Sequence, residues 1–152
     1  MNFRSAVMGH WSGEGVGWYP TIADFGYHET VEVADIGRPF LTYRQATHAN
    51  DGSPLHIEVG YLRFVAENRA ELVVAQPTGI SEVLAGWVEN IDGGYRLAMD
   101  STQVGLTETA KPVEATRRVL LLRGDELVVE FWMAAVGQPM QQHLRSQLRR
   151  DT

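Results

Sequence analysis

The sequence predicts an all-β domain, closed into a single antiparallel up-and-down barrel of about ten strands. Three observations carry this. Turn signals recur at short intervals: "DIGRP" at 35–39, "ANDGSP" at 49–54, "ENRA" at 67–70, "QPTG" at 76–79, "IDGG" at 91–94 and "RGDE" at 123–126. The runs between them are roughly 6–12 residues long, the spacing of hairpins. Helical periodicity is weak everywhere except the final "QPMQQHLRSQLRR". The alternating runs also show two mixed faces, which suits a barrel with a partly polar interior. Closing the sheet removes its edges, and about 8–10 strands leave room inside for one small ligand.

Along the chain, residues 3–8 carry no recognisable motif. "GHWSGEGVGWYPTI" at 9–22 holds four glycines and resembles a phosphate loop in spacing. Such a loop needs a strand before it and a helix after it, and neither is present. Gly13, Gly15 and Gly17 instead share one face of a strand with Trp11, which is placed to plug a barrel end. A stripe without side chains admits another backbone, an aromatic ring or a flat ligand. A coiled strand with no ligand role explains the same pattern, and both readings stay open.

In "PLHIEVGYLRF" the set Leu55, Ile57, Val59, Tyr61, Arg63 faces away from His56, Glu58, Gly60, Leu62, Phe64. "ELVVAQP" and "SEVLAGWVEN" continue the alternation, and two strands flank the Gly124–Asp125 turn. In "EFWMAAV", Phe131, Met133 and Ala135 share a face. The last segment reads equally as a short helix through Met140, Leu144 and Leu148, or as a closing strand with Leu144, Ser146 and Leu148 opposite His143, Arg145 and Gln147.

Composition narrows the chemistry. The 152 residues form one domain spanning 1–152, with 44% hydrophobic and 21% charged residues and a net charge of −6. That charge disfavours broad affinity for nucleic acid or anionic membrane. With no cysteine, disulfides, zinc–thiolate sites, iron–sulfur clusters and cysteine nucleophiles are excluded. The N-terminus lacks the apolar core of a signal peptide, so the cytoplasm is the expected location. No serine sits in a nucleophile-elbow context. Histidines 10, 28, 48, 56 and 143 show no metal-binding spacing, and each alone reads best as an ordinary histidine. Two histidines far apart in sequence can still meet inside a closed barrel. Arg145, Arg149 and Arg150 read as a solvated edge, or as cations for a carboxylate-bearing ligand at the rim.

Six blocks resemble the nitrobindin family nearly end to end: "GHWSGEGVGWYPTI", "PFLTYRQATH", "GSPLHIEVGYLR", "AQPTGISEVLAG", "TAKPVEATRR" and "MAAVGQPMQQHL". The resemblance implies a lipocalin or fatty-acid-binding-protein-like barrel that holds one haem b per chain near its mouth. It implies His143 as the iron ligand and catalytic residue, with Thr21 and His56 lining the pocket and Leu55, Met133 and Lys111 as weaker lining candidates. It further implies nitric oxide binding, and isomerisation of peroxynitrite to nitrate by ferric haem. Two departures stand out. The short N-terminus leaves no leading helix of the kind some relatives have, and Met140-Gln141-Gln142 differs ahead of His143. A carrier of fatty acids or another hydrophobic small molecule is the alternative, and a ligand-free barrel a third. A homodimer stays open.

Overall fold

The computed structural model describes residues 2–152. Ten strands run in chain order: β1 (Gly9–Tyr19), β2 (Ile22–Asp35), β3 (Phe40–His48), β4 (Pro54–Ala66), β5 (Arg69–Gln76), β6 (Ile80–Ile91), β7 (Gly94–Leu106), β8 (Val113–Arg123), β9 (Glu126–Ala135) and β10 (Gln141–Arg150). Each pairs antiparallel with its sequence neighbour, and β10 returns to pair with β1, closing the barrel. The six turn signals all fall between strands. Gly124, with φ of 57°, supplies the left-handed residue that the β8–β9 turn requires.

The final segment is a strand, not a helix, and the reason is topological. Without it, β1 and β9 would each leave an unpaired edge. As β10 it covers both, from Trp11↔Arg150 to Gly17↔Leu144 along β1.

The N-terminus corrects one expectation, because a short leading helix is present. Helix α1 (Phe3–Val7) starts at Asn2, whose side chain accepts from the Ser5 backbone while the Ser5 hydroxyl accepts from the Asn2 backbone. This capping box holds a helix too short to persist alone. Its apolar side explains why it stays: Phe3 and Val7 are fully buried, and Phe3 packs against Phe64 and Tyr95. Trp11 is completely buried there, and its indole donates to the Val7 carbonyl at 2.9 Å. Arg150 stacks on the same indole, 4.2 Å from its ring centre. Trp11 therefore plugs a barrel end, with α1 as its lid.

Above the plug lies an apolar core that includes Leu41, Leu62, Leu84, Leu97, Leu122 and Leu148. The opposite end is hollow. On β4 the inward set is the mixed one: Glu58 and Leu62 are buried, whereas Leu55, Val59 and Tyr61 are about half exposed. The apolar-looking face of this strand thus points outward, and the carboxylate points in. Among the described residues, no helix is long and apolar enough to cross a membrane.

Candidate functional site

A cavity of about 630 Å³ opens at the hollow end, within the size range of small-molecule and cofactor sites. Thr21, Leu55, His56, Lys111, Met133 and His143 all line it. They come from the β1–β2 turn, β4, the β7–β8 loop, β9 and β10, so closure alone brings them together. Thr21, Leu55 and Lys111 are exposed and stand at the rim; His56, Met133 and His143 are half-buried.

Simple alternation would set His143 opposite Leu144, Ser146 and Leu148. Yet both His143 and Leu144 line the cavity. The cause is a β-bulge. Along β9, Gln142 pairs with Trp132 and Leu144 with Phe131, leaving His143 as the extra residue. A bulge of this kind re-aims one side chain.

The imidazole is then fixed from several sides. Its Nδ1 lies 2.9 Å from the Trp18 carbonyl oxygen. A carbonyl can only accept, so Nδ1 carries the proton and Nε2 keeps its lone pair. The rings of Tyr19, Phe131 and Phe25 meet it edge-on, with centroids 5.3, 6.2 and 6.3 Å away. Burial lowers the imidazole pKa, and the bond to Trp18 only partly opposes this. The side chain is therefore a neutral, oriented nitrogen donor in an apolar mouth. That donor suits haem iron, which proteins commonly hold by a single histidine whose other ring nitrogen is hydrogen-bonded.

The glycine stripe plays a different part from the one its flatness invites. Gly13, Gly15 and Gly17 do not line the cavity. A Cβ at Gly15 would collide with the Tyr27 ring, one at Gly17 with the Phe25 ring, and one at Gly13 with the Gln147 backbone. Aromatic rings and a neighbouring strand occupy the space, and Phe25 and Tyr27 form the wall themselves.

Below the mouth the cavity is polar, as the mixed strand faces implied, and the residues that make it so are now visible. Arg118 donates to both Glu58 oxygens, at 2.6 and 2.8 Å, and to both Glu82 oxygens, at 3.2 and 2.5 Å. Phe131 covers its face, 4.8 Å from ring centre to guanidinium. Tyr43 donates to Glu58 at 3.1 Å, and Thr116 and Gln76 each donate to Glu82 at 2.6 Å. Burial pushes the Glu58 carboxyl up, but Arg118 and His56 outweigh it and hold it down at about 2. His56 Nε2 lies 3.9 Å from that carboxylate.

Among the described residues, Glu29 forms no ion pair of this kind. Burial raises its carboxyl to about 7, with a further push from Glu58 and only partial relief from Ser146, Gln45 and Arg118. Its Oε2 is buried without a hydrogen bond, as are Gln45 Oε1 and Ser146 Oγ. A usable signal for these residues existed. Glu29 alternates in phase with the apolar Val31 and Val33, and Arg118 with Leu120 and Leu122, so both faced inward by pattern.

The C-terminal arginines do not serve the rim. Arg145 pairs with Glu130, Arg149 with Glu126, and Arg150 with Asp125 beside the Trp11 plug.

A closed ten-stranded barrel with one oriented, neutral histidine in an apolar mouth defines a small ligand-binding barrel with a site suited to haem iron. The family description "THAP4-like, heme-binding beta-barrel domain" matches residues 4–150. The chain belongs to this family, the haem-binding barrels of the nitrobindin type. It is 48% identical over 146 residues to "Peroxynitrite isomerase" from Nocardia farcinica, covering 95% of this chain and 87% of that protein. It is 46% identical over 147 residues to "Peroxynitrite isomerase 2" from Mycobacterium ulcerans, covering 96% and 91%. The crystal structure of Rv2717c from M. tuberculosis superposes with a TM-score of 0.94 at 44% identity, covering 97% of this chain and 94% of that one.

Proposed function

We propose that the protein binds one haem b in the barrel mouth and isomerises peroxynitrite to nitrate, with His143 Nε2 as the iron ligand. The observation that carries this reading is the His143 geometry. Nδ1 is engaged by the Trp18 carbonyl, so the free lone pair of Nε2 is the one that faces the mouth. The peroxynitrite isomerase names of relatives 45–48% identical over most of the chain support the activity. Bound haem would supply ferric Lewis-acid chemistry toward peroxynitrite or nitric oxide.

The chain's own residues do the rest. Trp18 fixes the tautomer of His143, and Tyr19, Phe25 and Phe131 fix its plane. Met133 and Ile22 add apolar wall, while Thr21, Leu55 and Lys111 stand at the rim and His56 lies deeper, beside Glu58. Lys111 is the cation at that rim, positioned to meet the acidic groups of a haem.

Fatty-acid carriage finds less support. A carboxylate entering head-first needs a free cation at depth, and the guanidinium there is already committed to Glu58 and Glu82.

Titration with hemin, followed by absorbance, tests the haem reading. The wild type gives a histidine-type Soret band at one haem per chain, and His143→Ala abolishes it. An unchanged spectrum in the variant would sink the ligand assignment. Stopped-flow decay of peroxynitrite with nitrate detection then tests the activity of the loaded protein.

A further inference from the structure

The cavity has two chemistries, and the haem reading uses only one. Phe25, Phe131, Met133 and Leu144 make the mouth apolar. Four residues further along β2 from Phe25, roughly 13 Å of strand at the usual rise, Glu29 marks a floor of a different kind. Three carboxylates, Glu29, Glu58 and Glu82, face one guanidinium, and Arg118 spends its hydrogen bonds on the latter two. What remains are three buried oxygens without a hydrogen-bond partner: Glu29 Oε2, Gln45 Oε1 and the Ser146 hydroxyl. Their residues are only 3%, 5% and 1% exposed. Glu29 and Gln45 face the cavity directly.

Three buried oxygens able to accept, one of them a carboxylate, beneath an apolar sleeve describe a complementary ligand. An alkylammonium head carries three N–H donors and one positive charge, with no acceptor of its own. It supplies what each orphaned atom lacks and lowers the negative excess of the floor. Its alkyl body fills the mouth. A carboxylate of the same length fails on both counts: entering head-first it meets Glu29, and entering tail-first it leaves buried acceptors against hydrocarbon.

We propose that the haem-free barrel is a binding site for primary alkylammonium amphiphiles, held head-down on Glu29, Gln45 and Ser146. The site is separate from the iron ligand, and it stands or falls independently of the haem reading. Binding requires the Glu29 carboxylate, so below about pH 7 it displaces a proton. The groups facing Glu29 are Tyr27 on its own strand, Tyr43 and Gln45 on β3, Glu58 on β4, Arg118 on β8 and Ser146 on β10. Arg118 and Glu58 keep their charge through neutral pH. Burial, together with the Glu29 charge at Tyr27 and chiefly the Glu58 charge at Tyr43, pushes both tyrosines above their ordinary range, so they stay neutral. Glu29 is thus the group among these that titrates near neutrality, and ammonium affinity rises as pH passes upward through that range.

Calorimetry on the haem-free full chain, with octylammonium and octanoate at mildly alkaline pH, tests the proposal. Octylammonium should bind at least about tenfold more tightly than octanoate, and repeating the titration in mildly acid buffer should show release of a proton. Glu29→Gln should weaken octylammonium roughly tenfold to a hundredfold, the value of a charged hydrogen bond, and leave octanoate no weaker. Equal affinity for the two probes, or an unchanged octylammonium affinity in a folded Glu29→Gln variant, overturns it. If that variant does not fold, the carbon-13 signal of the wild-type Glu29 carboxyl decides. Its titration midpoint must fall when octylammonium is added, and a midpoint that stays put refutes the site.

Discussion

Glu29→Gln makes a second, independent prediction, about stability. In the folded barrel the Glu29 carboxyl ionises at about 7 instead of 4.5, chiefly because burial penalises the charge. The folded state therefore grips this proton more tightly than the unfolded chain does. The resulting stabilisation is complete below the unfolded value and is lost as pH rises through about 7. A carboxyl displaced that far costs the alkaline protein roughly 3 kcal/mol relative to an uncharged isostere. Glutamine keeps the shape, has no ionisation, and brings two N–H donors among the orphaned oxygens of Gln45 and Ser146.

The variant should therefore gain on the wild type as pH rises. Urea unfolding of both proteins, from mildly acid to mildly alkaline buffer, should show a gap that is constant below about pH 4.5. It should widen by roughly 3 kcal/mol and level off above neutrality. For a chain of this size the same change is a relative rise in Tm of roughly 6–12 °C. Parallel curves would show that Glu29 carries no buried charge penalty. A gap that opens toward acid would mean that it is held ionised by a partner, and the description of the floor would be wrong.

Arg118→Met leaves Glu58 and Glu82 buried without their cation, and stability should fall by roughly 3–5 kcal/mol in thermal unfolding; a loss under about 1 kcal/mol would refute the network. Because Glu58 ionises at about 2 rather than 4.5, its stabilisation is complete above the upper value and disappears as pH falls toward the lower one. Wild-type acid unfolding should steepen in that window, and Glu58→Gln should remove the effect. Gly17→Val forces a side chain into Phe25 and Leu144, which both border His143, so hemin titration should show weaker binding. With His143 as the proposed iron ligand, haem affinity requires its neutral form, whose pKa burial lowers, so it should stay flat into mild acid and then fall about tenfold per pH unit.

The turns and the all-β class were legible because each rests on local chemistry, whereas the cavity-lining residues followed from the family resemblance and not from spacing. Gly and Asp at turn positions, alternation within runs, and the C-terminal block "QPMQQHL" could be read one segment at a time. Lines of contact between segments could not. Arg118 meets Glu58 across 60 residues and Glu82 across 36, so alternation could turn each side chain inward without naming its partner. The short helix was missed because its order comes from burying Phe3 and Val7, not from helix propensity. The glycine stripe was legible as a close approach, but not as one filled by Tyr27 and Phe25, which sit opposite only once β1 and β2 are in register.

His143 shows most clearly why register, and not residue type, makes the site. Strand alternation alone would turn the imidazole away from Leu144 and out of the cavity. The bulge reverses that, and it leaves the end of β9 with an irregular partner. Tyr19 fills this gap: its buried hydroxyl donates to the Met133 carbonyl at 3.1 Å and accepts from the Ala135 N–H at 3.1 Å. Beyond it, Val136 adopts a φ of 48°, a conformation that β-branched residues seldom enter, and the chain turns back into β10. Tyr19 also presents its ring to His143, and the next residue back, Trp18, presents its carbonyl. Two consecutive residues at the end of the glycine-rich strand thus hold both the bulge and the imidazole it delivers. Only a closed barrel allows this, because the seam between the first strand and the last is where those residues meet.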